Sequence, residues 1–333
     1  MHILSIGVAC VALHVSPLGL LAIRRRTQTP YDAPYNPIWL RVLPFFIKVS
    51  AGMAAVITLE LPSLVNDAPL LQCGLRVVCF FYACKILDLG VARADTPPTR
   101  LLPNGNPASM QTTADLALYA WLLLTEMRYL SFDIAIKQSS RIARDITLPF
   151  AASFILGILD YGFLQLPEVK CICLLLLLQG LFESLHLLLH PGCARPLFYK
   201  PWRAGTMSDF WSVHWHTAAA PFIQTLAYRP GKRYVGQWFG ILAAFNLTGI
   251  WHGWATAALA EDGYAFAIGL RVWALFMMMG VLCLLERWTW DEKQGGMLQR
   301  IVVWTLSIGA AGQCFRYLQS HTTVPALRRP TER

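Results

Sequence analysis

Three clusters of residues in this sequence have the types and spacing for chemistry. The first is Phe245-Asn246-Leu247-Thr248-Gly249-Ile250-Trp251-His252-Gly253-Trp254, which sets Asn246, Thr248 and His252 inside an apolar run. Polar and ionisable groups at membrane depth are costly, so each is a functional-site hypothesis by default. On a helix, Thr248 and His252 share a face, so a partner could orient the imidazole for proton transfer. Gly249 and Gly253 at GxxxG spacing let another backbone or a substrate approach closely. The competing reading is a packing motif with one hydrogen-bonded histidine.

The second cluster runs from Pro196 through Lys200, Pro201 and Trp202 to Asp209-Phe210-Trp211-Ser212-Val213-His214-Trp215-His216. Aromatics mixed with cations are what an interfacial belt looks like. That accounts for Trp202, Phe210, Trp211 and Trp215, but not for Asp209 and two histidines among them. The third cluster is Glu183, His186 and His190, which fall on one helical face with the E-x-x-H spacing of di-iron carboxylate sites. Such a site needs matching Glu or His residues on other helices, so a structural or site-lining role is favoured over metal ligation.

The elements that must position these groups are membrane helices. Of 333 residues, 56% are hydrophobic and 14% charged, against about 25% charged in a soluble domain, and the mean hydropathy is +0.46. Seven stretches, 3–23, 38–59, 70–88, 146–166, 171–190, 236–260 and 264–285, have the ~20 apolar residues that crossing a bilayer requires, and 300–318 is an eighth. The stretch 116–132 is short and broken by Glu126 and Arg128, which reads as a re-entrant or interfacial helix. The expectation is an all-α polytopic helical bundle of about eight spans plus interfacial helices, forming one membrane domain over 1–333. Arg24, Arg25 and Arg26 follow the first run and place it with a lumenal N-terminus rather than as a cleavable signal. The loop 191–235 is then cytosolic. The nine cysteines sit largely in apolar runs and form no disulfide framework. The net charge of +9 comes from short loops between apolar runs, which gives no face for nucleic acid. No GxSxG elbow, P-loop or H-E-x-x-H motif occurs.

The order PLFYKPW, DFWSVHWH and FNLTGIWHGW, over about residues 180–260, resembles the wax synthase branch of the membrane-bound O-acyltransferase family. The short chain is similar to fungal members that acetylate terpenoids and meroterpenoids. The resemblance implies that His252 is the catalytic histidine and His216 a second catalytic group, at a position that is Asn in the wider family. It also implies that Asp209 and Trp211 belong to the aromatic-acidic motif beside it. It further implies an acyl-CoA co-substrate, most readily acetyl-CoA, a lipophilic alcohol acceptor, no metal and no other cofactor. The setting would be a multi-pass protein among the lipids of the endoplasmic reticulum.

Acyl transfer to an alcohol needs a base for the hydroxyl proton, and a buried imidazole stays neutral and able to accept it. Asn246 or Thr248 would orient His252 or donate to the oxyanion. Lys200, Arg203, Arg229, Lys232 and Arg233 would meet the CoA phosphates, although the same charges serve as a positive-inside signal. The alternatives are a long-chain-alcohol wax ester synthase, a histidine-box oxygenase using Glu183, His186, His190, His214 and His216, and a non-catalytic transporter or scaffold.

Overall fold

A computed structural model of the chain describes residues 2–27, 38–65, 67–134, 147–159, 166–189, 197–198, 203–215, 217–289 and 296–327. The described residues are helical apart from turns and isolated bridges. The helices are α1 (His2–Thr27), α2 (Ile38–Glu60), α3 (Pro69–Leu87), α4 (Thr113–Thr125), α5 (Thr147–Leu159), α6 (Pro167–Leu189), α7 (Met207–Asp209), α8 (Ala220–Ile223), α9 (Arg229–Tyr234), α10 (Gln237–Ala257), α11 (Ala265–Thr289) and α12 (Met297–Ser320). Over its described residues, each of the eight apolar runs read from the sequence is therefore the body of a helix.

Eight spans, however, is not the count the described residues support. Three helical segments are both long and apolar enough to cross a membrane: Arg41–Leu64, Pro69–Ala92 and Ala265–Thr289. The described part of α5 is 13 residues, about 20 Å at the usual rise. In α10 the polar and aromatic groups that draw attention as a site, Asn246, Thr248 and His252, also dilute its hydropathy.

The apolar outward faces fit a hydrocarbon solvent. On α2, Val42, Phe45, Phe46, Val49, Met53, Val56 and Ile57 are exposed, while Leu43, Ile47, Ala51, Ala54 and Ala55 on the other side are buried. A helix apolar all round belongs either in a large core or in lipid.

Contacts divide the chain into two compact units, Met1–Lys137 with Pro221–Arg229, and Gln138–Ala220 with Pro230–Arg333. In the first, Leu18 and Leu21 of α1, Ile47 and Ala51 of α2, Ile86 of α3 and Tyr119 and Leu123 of α4 share a core. The doubtful stretch 116–132 is resolved as a short helix and a return turn. A capping box opens α4: the Thr112 hydroxyl accepts from the Asp115 N–H (3.1 Å) and the Asp115 carboxylate accepts from the Thr112 N–H (3.0 Å). At the other end the buried Lys85 ammonium donates to the carbonyls of Leu124 (3.0 Å) and Glu126 (2.6 Å), tying down groups the helix leaves unpaired. The Glu126 carboxylate accepts from the backbone and hydroxyl of Ser131, and Tyr129 takes a positive φ of 54° to complete the turn. At 13 residues, α4 is too short to span.

The hydrogen bonds from the Thr112 backbone and hydroxyl hold the exposed Asp115 carboxyl below the usual carboxylate range. A depressed carboxyl stabilises the fold above its unfolded value, and that contribution is lost as pH falls through the depressed one. Asp115→Asn should therefore melt earlier than the wild type at neutral pH in detergent. The gap should close on acidification.

Candidate active site

The second unit builds the site around the α10–α11 pair. Gly253 and Gly269 meet backbone to backbone: a methyl added at Gly253 would lie 2.5 Å from the Gly269 carbonyl oxygen. Gly249 faces the Trp273 backbone and Phe276, and Gly280 faces Phe245. The glycine pair expected to allow close approach does so here, with α11 as the partner. At Gly253 the added carbon would meet only main chain, with no flexible side chain to swing away. Gly253→Val should cost about 1–3 kcal/mol or more through overpacking, read as a lowered melting temperature in detergent.

That seam fixes His252. Its Nδ1 lies 2.9 Å from the Thr248 carbonyl oxygen. A carbonyl only accepts, so Nδ1 carries the hydrogen, and in the neutral ring Nε2 keeps its lone pair. The imidazole rests against Phe276 at 4.6 Å between centroids and Trp251 at 5.1 Å. Thr248 thus orients the histidine through its backbone rather than its hydroxyl, which donates to the Ala244 carbonyl (2.9 Å). The Asn246 Oδ1 accepts from the Trp273 indole N–H at 2.9 Å, which leaves its amide hydrogens for another acceptor.

The aromatic-acidic motif sits on the same core. Phe210–His214 forms a π-turn, a feature often found at functional sites, running on from α7. The Trp211 ring lies 5.6 Å from both Phe245 and Phe276, so Phe276 contacts both Trp211 and His252. Met207, Phe245, Phe276, Met279 and Cys283 complete the cluster. The Trp211 Nε1 is buried with no acceptor among the described residues. An unsatisfied buried donor costs about 1–3 kcal/mol, which a ligand oxygen would recover.

Asp209 turns back on its own loop, its Oδ2 lying 3.3 Å from the His214 Nε2 and 3.4 Å from the Gly205 N–H. Thr206 caps the turn by accepting from the Asp209 N–H (2.9 Å). The main anchor is a residue the sequence did not single out. The buried Glu286 carboxylate on α11 accepts from the N–H groups of Met207 (2.7 Å) and Ser208 (3.0 Å). Its signal was an acidic side chain in the last turn of a lipid-length helix.

Of the expected cations, Arg203 is exposed, Lys232 and Arg233 are exposed on α9, and Arg229 at the start of α9 groups with the first unit. Lys200, His190 and His216 lie outside the described residues. The Glu183 carboxylate accepts from the Phe198 N–H at 2.8 Å, which ties it to the chain leading into the aromatic motif. Among the described residues no group of three or more His, Cys, Asp or Glu side chains could hold a metal ion.

A comparison with the curated proteins gave no match. Residues 194–278 match the family model described as the membrane bound O-acyl transferase family. That stretch takes in the Asp209–Trp211 turn, α9, all of α10 and the first half of α11, and over it the chain is similar to that family.

Proposed function

We propose that this chain is a membrane-bound O-acyltransferase that moves an acyl group, most readily acetyl, from acyl-CoA to a hydroxyl of a lipophilic terpenoid or meroterpenoid acceptor. The observation that carries this reading is the tautomer of His252. With Nδ1–H held by the Thr248 carbonyl, Nε2 is the basic atom, and the ring cannot turn without breaking that bond. In the reaction, Nε2 takes the hydroxyl proton as the alcohol oxygen attacks the thioester carbonyl carbon. The new C–O bond forms, the C–S bond breaks, and the proton passes from the imidazolium to the departing CoA thiolate. No covalent acyl-enzyme and no cofactor enter the scheme.

The amide hydrogens of Asn246 and the indole N–H of Trp211 are donors left for substrate oxygens. His216 is assigned as a second catalytic group that positions the thioester. Asp209 shapes the loop carrying Trp211 and is assigned to the same binding region. Lys200, Arg203, Arg229, Lys232 and Arg233 are assigned to the CoA phosphates, for which strongly hydrogen-bonding cations are the natural ligands. The protein would work in the endoplasmic reticulum membrane, drawing CoA thioesters from the cytosol.

The test is to incubate microsomes containing the chain with acetyl-CoA or palmitoyl-CoA and candidate alcohols, and to identify products by mass spectrometry. An acetyl ester of a terpenoid alcohol is the expected product. A long-chain ester alone would make the chain a wax ester synthase. No ester from either donor, with the protein present and folded, would overturn the reading.

A further inference from the structure

On the side of α11 away from His252, α11 and α12 enclose a groove of about 700 Å³. Its two ends differ in chemistry. Arg271, Tyr317 and His321 line one end, and Leu275, Met278 and Ala310 line the other. The helices run antiparallel here, Arg271 lying over Tyr317 and Met279 beside Ser307, so the polar groups gather where α11 begins and α12 ends. Arg271 is six residues into its helix, about 9 Å from the end, and the apolar lining continues for about another 10 Å. That is the depth profile of one lipid leaflet from its headgroup inward.

The cationic end is built rather than incidental. The Arg271 guanidinium lies 3.8 Å from the centre of the Tyr317 ring, which holds it in place from one side. His321 stacks on Tyr264 at 4.0 Å and meets Tyr317 edge-on at 4.5 Å. The His321 carbonyl accepts from the Glu261 N–H, and the Leu259 carbonyl accepts from Thr322 and Thr323, so the end of α12 is laced to the α10–α11 turn. Arg316, at the same end, spends part of its charge on Glu168 at 3.4 Å. Arg271 has no carboxylate partner among the described residues, although it sits on a helix apolar and long enough to span. A membrane-embedded cation without a counter-ion is a ligand-site hypothesis.

We propose that this groove binds an anionic glycerophospholipid, its phosphate on the free face of Arg271 and one acyl chain along Leu275, Met278 and Ala310. Charge complementarity selects the phosphate and the apolar floor selects the chain; a free phosphate lacks the chain, and in a zwitterionic lipid the headgroup ammonium offsets the phosphate charge that Arg271 would meet. The site lies outside the cluster around His252 and does not depend on the reaction that histidine performs.

Thermal unfolding of the purified full chain in a neutral detergent tests this directly, with added phosphatidylglycerol, phosphatidylcholine of the same chain length, or inorganic phosphate. Phosphatidylglycerol should raise the melting temperature in proportion to the logarithm of its concentration, as expected for a ligand of the folded state, while the other two leave it nearly unchanged. Arg271→Gln should abolish that rise. Met278→Trp fills the apolar end without altering charge and should abolish it too, which keeps the test valid if the arginine variant fails to fold. Equal stabilisation by phosphatidylcholine or phosphate, or a full response in either folded variant, would overturn the assignment.

Discussion

A His252→Ala variant should lose acyl transfer by about 100- to 10,000-fold, the range a positioned general base contributes. The variant removes the basic Nε2 of a ring that the Thr248 carbonyl holds in register through Nδ1–H. It also removes a ring from the face of Phe276, so a packing defect must be told apart from a chemical one. His252→Gln does that: an amide fills much of the same space and can bond the same carbonyl, but it cannot accept a proton at neutral pH. Both variants should extract and melt close to the wild type in detergent, with the rate loss confined to kcat. Near-wild-type turnover in either folded variant would end the assignment of His252.

The largest expected effect on stability lies in the other unit. Asp88, fully buried, pairs with the Arg93 Nε at 2.9 Å, and the Arg93 guanidinium donates to the Thr225 hydroxyl at 2.7 Å. Removing one member of a buried pair strands the other charge, typically at 3–5 kcal/mol. Asp88→Ala should therefore melt far below the wild type and resist purification. Replacing both groups, as in Asp88→Leu with Arg93→Met, should recover most of that loss, because the stranded charge goes with its partner. Loss of equal size in the single and double variants would show that the pair is not what holds this corner.

How much of this was legible beforehand depended on whether the signal was local. The apolar runs became helices because length and composition act along the chain, and Gly249 and Gly253 found a close neighbour because their spacing sets one face of α10. The span count was less legible. Eight apolar runs read as eight spans, whereas three helical segments among the described residues are both long and apolar enough to cross.

The site was read as a string of motifs, and its partners were missed for a physical reason. Glu286 reaches the Met207 N–H across 79 positions, and Trp273 reaches Asn246 across 27. Such contacts leave no periodicity to read. Thr248 was legible as an orienter from its place one turn before His252, but not that its carbonyl does the orienting while its hydroxyl bonds back to the preceding turn.

One helix connects these findings. Near its start α11 is locked to α10 at Gly269, and near its end Glu286 grips the turn that carries Trp211. Those two clamps are about 25 Å apart on a continuous rod. A rod pinned at both ends transmits tilt with little bending, so the indole and the imidazole keep their spacing as the surrounding helices breathe. Residues that touch neither clamp can then vary without altering the distance between that indole and that imidazole.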